Sequence, residues 1–328
     1  MPLQGRILIT GGAGFLARAI YRRAEVEGWD AEFTALSRDD AKHAALQHRF
    51  PNVKTIRADV AGDYPLLVAA MRGHDIVIHA AAAKYVDRSE HAAFDTVRTN
   101  ITGSAQVIHA AIEARVRQLI GISTDKACEP VNVYGMTKAV MERLLHEAAA
   151  HSGLTDVFCV RYGNVVGSTG SVIPLFAQQL AETGKIKLTD PAMTRFWMSV
   201  EEAIELIVWT LREGVSGAMY VPEPGAMRMN ALAYTVLGYE GLPDDLEGAI
   251  LDERIEVIGK RPGEKMHEQL IHEQESPRAR VGGPGPNEVH PPGGKTFGER
   301  TFTMRSDKPS HWLTPDQLRR MMSLAEGV

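Results

Sequence analysis

Six short runs rich in apolar and β-branched residues mark the first half of the chain: Arg6–Thr10, Glu32–Leu36, Val53–Ala58, Asp75–His79, Gln118–Ile122 and Val157–Tyr162. Between them lie amphipathic stretches with helical spacing. Strands separated by that much chain do not close as tight hairpins. They pair in parallel, with the intervening helices covering both faces of the sheet. The pattern predicts an α/β fold with a doubly wound parallel sheet over residues 1–162. In the clearest helical stretch Val140, Met141, Leu144, Leu145 and Ala148 form one apolar stripe, and Glu142, Arg143 and Glu147 are expected to face away.

Beyond Tyr162 the alternation loosens. Val200–Leu211 reads as a helix and Ala218–Val221 as a strand returning to the main sheet. Pro315–Ala325 reads as a last helix, with Thr314 as its N-cap and proline at its first position. Residues 163–328 are expected to form mostly a smaller, interleaved C-terminal lobe for the substrate. The Gly- and Pro-dense run 281–295 reads as a mobile excursion.

Composition removes several classes of function. The 328 residues are 44% apolar, ample for a core, and the formal charge of −5 argues against binding nucleic acid by counterion release. Cys128 and Cys159 are too few for a disulfide framework or a Cys-rich zinc site. His267 and His272 stand five apart rather than four, so they do not form a metalloprotease pair, and no metal site is expected. The apolar run Ile7-Leu8-Ile9 is far too short for a signal peptide or a membrane span, so a soluble, cytoplasmic protein without a membrane partner is expected.

The first strand runs into Thr10-Gly11-Gly12-Ala13-Gly14-Phe15-Leu16-Ala17 and then a helical stretch. Glycines there let the backbone turn sharply and approach a pyrophosphate seated on the helix N-terminus, so the fold reads as a Rossmann dinucleotide-binding domain. Ala17 replaces the usual third glycine. The second strand ends in Leu36-Ser37-Arg38, and an arginine at that point suits the 2′-phosphate of NADP better than the bare ribose of NAD. Asp39 and Asp40 stand close by and read as helix caps. Asp59 and Val60 follow the third strand at the place for adenine. Ala80, Ala81, Ala82 and Lys84 follow the fourth, where small residues admit the cofactor.

The fifth strand ends in Ser123-Thr124-Asp125-Lys126, and Tyr134 and Lys138 lie one turn apart on the next helix. An ammonium beside a phenol, with the cation of a nicotinamide ring, can bring the phenol toward neutrality as a base. These residues, together with the glycine turn, resemble the extended short-chain dehydrogenase/reductases. Ser123–Ala127, Arg161–Ser168, Gly170–Pro174, Thr189–Trp197 and Arg261–Lys265 are similar to the UDP-N-acetylglucosamine 4,6-dehydratases, closest to the short, C5-inverting type. The chain departs from them at Ala13, Phe15 and Met136 and in the Gly/Pro insert, which bears on fine substrate specificity.

The resemblance implies a redox-neutral cycle on a UDP-sugar. It assigns Tyr134 and Lys138 to oxidation at C4, Lys126 to removal of the C5 proton, Asp125 to protonation of the leaving C6 hydroxyl and Thr124 to the C4 hydroxyl. It implies cofactor contacts from Tyr134, Lys138 and Asn100. For the UDP-sugar it implies Arg195 and Arg261 on the diphosphate, Glu264 on the ribose, and Lys84, Asn164 and Val172 lining the pocket. A homo-oligomer, dimer or hexamer, is a further implication. Two rivals share the fold: a UDP-sugar C4-epimerase, which needs only Tyr134 and Lys138, and a non-enzymatic NADP-binding sensor.

Overall fold

The computed structural model describes residues 2–240, 252–283, 285–298 and 301–326. Nine strands of these residues form one sheet: β1 (Gly5–Thr10), β2 (Ala31–Ser37), β3 (Lys54–Arg57), β4 (Ile76–His79), β5 (Gln118–Thr124), β6 (Asp156–Tyr162), β7 (Met219–Val221), β8 (Ala279–Arg280) and β9 (Asn287–Val289). Their spatial order is β8-β9-β7-β6-β5-β4-β1-β2-β3. Strands β1 to β7 pair in parallel. Strand β9 is antiparallel to β7 and to β8.

The alternation of side chains divides the core into two layers. Ile7, Ile9, Ile76, Ile78, Ile120, Ile122, Phe158 and Val160 pack on one face, while Leu8, Leu36, Val77, Leu119, Val157, Cys159 and Met219 pack on the other. A strand covered on both sides needs an unbroken apolar run, which is why these segments stood out in the sequence. All six predicted strands are present, with ends shifted by one or two residues, and the predicted returning strand joins the sheet beside β6. The final helix, Pro315–Ala325, opens on a capping box between Thr314 and Gln317.

Two expectations change. The Gly- and Pro-rich run 281–295 contains β9, whose ladder to β7 extends the main sheet, so that part of the run is structure rather than excursion; Pro284 lies outside the described residues. On the helix Val133–His151, Val140 is exposed while Glu142 is buried. Periodicity misassigned them because the partner that makes burial of Glu142 favourable, Arg161, sits on a different element.

The second lobe has a core of its own, built from Val166, Ile173, Phe176, Ile186, Leu188, Trp197, Met227, Leu232, Tyr234 and Leu318. The strand Thr194–Met198 lies between Asn164–Val165 and Gly225–Arg228 in a three-stranded sheet at its edge. No helix among the described residues is long and apolar enough to cross a membrane.

Candidate active site

Strand order reverses between β1 and β4, the place where an open parallel sheet leaves a crevice at its carboxyl ends. The crevice is stitched shut below: Thr10 Oγ1 hydrogen-bonds His79 Nδ1 at 2.8 Å, and the Ala80 amide donates to the Thr10 carbonyl. Above it opens a cavity of about 850 Å³ that runs from the glycine turn to the second lobe.

At its floor Gly11 has φ +69°, and a Cβ there would stand 3.0 Å from the Ala81 backbone, so only glycine permits this approach of the two strand ends. Gly11, Ala13, Gly14, Phe15 and Leu16 line the cavity, and Gly14 is the N-cap of the helix Phe15–Glu27. Gly12 does not line it; it packs on Ala35 of β2 and its carbonyl accepts from Tyr21. This cradle fits a dinucleotide pyrophosphate, with the positive end of the helix Phe15–Glu27 at the space.

Ser37, Arg38 and Val60 line the far end with Asp39 and Lys42. The carboxylates nearby are engaged. Asp39 caps the helix Asp40–Arg49 through the Lys42 amide, and Asp40 pairs with Arg57. Asp59 lies outside the lining and holds Arg98 at 2.8 Å and Arg38 at 3.8 Å. Ala80, Ala81, Ala82 and Lys84 line the middle, and Lys84 Nζ donates to the Thr169 carbonyl. Asn100 is buried and also outside the lining. Its side chain accepts from the Ala83 amide and donates to the Ala83 carbonyl and Thr137 Oγ1, fastening the β4 loop to the helix that carries Tyr134. Asn100 sits in the π-helical turn Arg98–Thr102, where a widened backbone turns it inward.

Strand β5 delivers the next residues of the candidate site. Thr124 ends the strand, and Asp125–Ala127 form a 3-10 turn. Asp125 is fully buried; its Oδ1 accepts from Thr124 Oγ1 at 2.9 Å and from Lys126 Nζ at 3.0 Å, and its Oδ2 has no hydrogen-bond partner. Thr124, Lys126, Tyr134 and Lys138 line the cavity, with Asp125 directly behind Lys126. The helix Val133–His151 is capped by Asn132, which also donates to the Gly263 carbonyl of the second lobe. Gly135 lets that helix press on the loop: a Cβ there would lie 2.2 Å from the Lys126 carbonyl oxygen.

The electrostatics depart from the expected tuning of the phenol. Burial pushes the Tyr134 hydroxyl up to about 12, with the Lys126 charge and a hydrogen bond with Thr124 working against it. Lys138 is not the cation facing the phenol; its Nζ contacts Met141 Sδ, and burial pushes it down to about 8. Among the protein's own groups Lys126 is the cation that favours phenolate. For Lys126 itself, burial disfavours the ammonium, but Asp125 and Glu268 outweigh it and hold the amine protonated well above its ordinary range.

The second lobe closes the cavity with Asn164, Val172, Arg195, Arg261 and Glu264. Arg195 donates to the Thr194 and Met266 carbonyls, and Asn164 to the Phe196 carbonyl. Arg261 pairs with Asp87 at 3.1 Å, and Glu264 accepts from the Arg261 amide, shaping that turn. Lys265 donates to the Cys128 carbonyl and so ties this turn to the β5 loop. The sequence reading missed two features. Glu268 lies in the segment set aside as a failed metal pair, yet it lines the cavity. Arg161 is held by both oxygens of Glu142 and of Glu275, which locks β6 to the Tyr134 helix and to the turn that leads into β8.

A parallel sheet with a pyrophosphate cradle at its switch point, and a phenol with two lysines and a carboxylate at the end of β5, defines an enzyme of the extended short-chain dehydrogenase/reductase type. Residues 7–282 match the family described as polysaccharide biosynthesis protein, and the chain belongs to it. It is similar to the UDP-N-acetylglucosamine 4,6-dehydratase (inverting) of Campylobacter jejuni, 37% identical over 276 residues, 82% of this chain and 78% of that one. It is also 36% identical over 288 residues to the UDP-glucose 4-epimerase of Rickettsia massiliae, covering 85% of this chain and 81% of the relative. Among solved structures, Pen from Bacillus thuringiensis superposes with a TM-score of 0.85 at 31% identity, covering 98% of this chain and 97% of that one.

Proposed function

We propose that the protein catalyses NADP-dependent 4,6-dehydration of UDP-N-acetylglucosamine, giving a UDP-4-keto-6-deoxy-N-acetylhexosamine inverted at C5. The observation that carries this reading is the Asp125–Lys126 ion pair at the end of β5, with Lys126 facing the cavity beside Tyr134. Oxidation of one sugar carbon needs one base. Elimination of water across C5 and C6 needs a further acid–base pair, and this is what the ion pair supplies.

In this mechanism Tyr134 takes the C4 hydroxyl proton, with Thr124 orienting that hydroxyl. A dinucleotide held by the cradle of Gly11, Ala13, Gly14, Phe15 and Leu16 would supply the hydride chemistry between C4 and C6. Passage of a proton from the Lys126 ammonium to Asp125 across their 3.0 Å hydrogen bond leaves an amine to remove the C5 proton, and the Asp125 acid behind it supplies the proton for the departing C6 hydroxyl through Lys126. Arg195 and Arg261 hold the diphosphate from the second lobe, Glu264 the ribose, and Lys84, Asn164 and Val172 line the sugar-nucleotide pocket. Arg38, beside engaged rather than free carboxylates, favours NADP. A homo-oligomer, expected from the family resemblance, is part of the same reading.

The name of the Rickettsia massiliae relative favours a second reading, a UDP-sugar C4-epimerase. One experiment separates them. Purified protein with UDP-N-acetylglucosamine in deuterated water should release one water per sugar and incorporate deuterium at C5, followed by mass and proton NMR. Appearance of only the galacto epimer overturns the dehydratase reading. Lys126→Ala should lower dehydration at least a thousandfold, whereas an epimerase would retain its turnover.

A further inference from the structure

We propose that Glu268 is the shared counter-ion of the site, a positioning residue that holds the elimination lysine and the diphosphate-binding arginine on one carboxylate oxygen. The inference rests on the roles given above to Lys126 and Arg195. Glu268 is 3% exposed and lines the cavity. Its Oε1 lies 3.8 Å from Lys126 Nζ and 3.9 Å from Arg195 Nε, and its Oε2 lies 3.9 Å from Lys265 Nζ. Oε2 has no hydrogen-bond partner. Its backbone is pinned from both sides: the Glu268 amide donates to Ser306 Oγ and its carbonyl accepts from the Ser306 amide.

Lys126 and Arg195 line the cavity and Lys265 stands beside it on Glu268; three cations this close repel one another, and charge removed from water needs compensation. Asp125 faces only Lys126 among them, so it cannot serve all three. Glu268 can, because it lies among Lys126, Arg195 and Lys265 without being consumed by a direct hydrogen bond to any. The same placement gives it two opposed effects. It favours the ammonium form of Lys126, together with Asp125 and against the repulsion of Arg195. It also competes with an incoming diphosphate for Arg195. Tyr134 and Thr124 complete the surroundings of Lys126 from the neighbouring helix and from β5.

The test is Glu268→Gln, which keeps the shape and removes the charge, with Glu268→Asp as a charged control. The first readout is the rate at which an amine-reactive acyl reagent labels Lys126 at pH 9, followed by peptide mass spectrometry and normalised to exposed Lys42. Loss of one nearby carboxylate lowers an amine pKa by about one unit, so labelling in E268Q should be about tenfold faster, and E268D should stay within about threefold of the native chain. The second readout is UDP affinity by calorimetry, which should rise about fivefold in E268Q because Arg195 is released. Labelling unchanged in E268Q, or UDP bound more weakly, overturns the proposal. Labelling accelerated as much in E268D as in E268Q overturns it as well. These outcomes do not depend on turnover: a native chain that fails to dehydrate UDP-N-acetylglucosamine refutes the proposed reaction, while the labelling ratio still decides the role of Glu268.

Discussion

Replacing Arg161 by methionine removes the one cation between two buried carboxylates. Its guanidinium meets Glu142 at 2.6 and 2.9 Å and Glu275 at 2.8 and 2.9 Å, and the three side chains are only 3%, 6% and 5% exposed. Methionine fills much of the space but carries no charge, leaving Glu142 with the Ser123 hydroxyl and Glu275 with the His272 amide as donors. Breaking a buried pair by removing one partner costs about 3–5 kcal/mol, so the variant should lose about 4 kcal/mol and melt about 6 °C lower.

The loss should depend on pH with a definite sign. In the native chain burial pushes the Glu275 carboxyl up, but Arg161 more than offsets this and holds it below the ordinary range. That group's stabilisation is present above its unfolded pKa and lost as pH falls through the lower folded value. In the variant burial is opposed only by His272, through its amide and its ring, so the folded pKa rises, and stability is lost as pH rises through it. The gap between the two proteins should therefore be widest near neutrality and narrow toward pH 4.5. Urea unfolding followed by circular dichroism at pH 7.5 and 4.5 measures it. A gap below about 1 kcal/mol, or one equal at both pH values, refutes the assignment of the Arg161 cluster as the lock between β6, the Tyr134 helix and the turn before β8.

Gly135→Ala should force the β5 loop off the helix, because its Cβ would sit 2.2 Å from the Lys126 carbonyl. Steady-state kinetics should show turnover reduced more than tenfold, and a dinucleotide titration should show affinity reduced less than turnover, since the pyrophosphate cradle lies on other elements. Arg38→Ala should weaken NADP about tenfold while leaving NAD within about twofold, as expected for loss of one charge-assisted contact to a 2′-phosphate; equal loss of both cofactors in a fluorescence titration refutes the NADP assignment.

The parallel sheet was legible because β1, β2, β4, β5 and β6 carry buried apolar runs on both faces, a signal that needs no knowledge of what the strand packs against; the edge strand β3 was legible only from its β-branched pair Thr55 and Ile56. The cradle was legible for a related reason: Gly11 through Gly14 and the helix after them are contiguous, so the sequence displays the whole device. Tyr134 and Lys138 were legible as a spacing, but their electrostatics were not. The expected cation beside the phenol was Lys138, one turn away; the observed one is Lys126, brought in by the 3-10 turn at the end of β5. Asn100, Asp59 and Gly12 stand near the cavity without lining it, since their partners, Ala83, Arg98 and Tyr21, come from other parts of the chain.

The boundary follows the range of the interaction. Whatever depends on neighbours a few residues apart was written in the chain: strand periodicity, the glycine turn, the capping box at Thr314, the pairing of Asp125 with Lys126. Whatever depends on charge brought together from distant segments belonged to the folded molecule. Glu142 faces inward because Arg161 is there to receive it, and Glu268 matters because Lys126 and Arg195 approach it from two different elements. Burial changes what a charge costs and what it does, and burial is a property that no stretch of sequence carries alone.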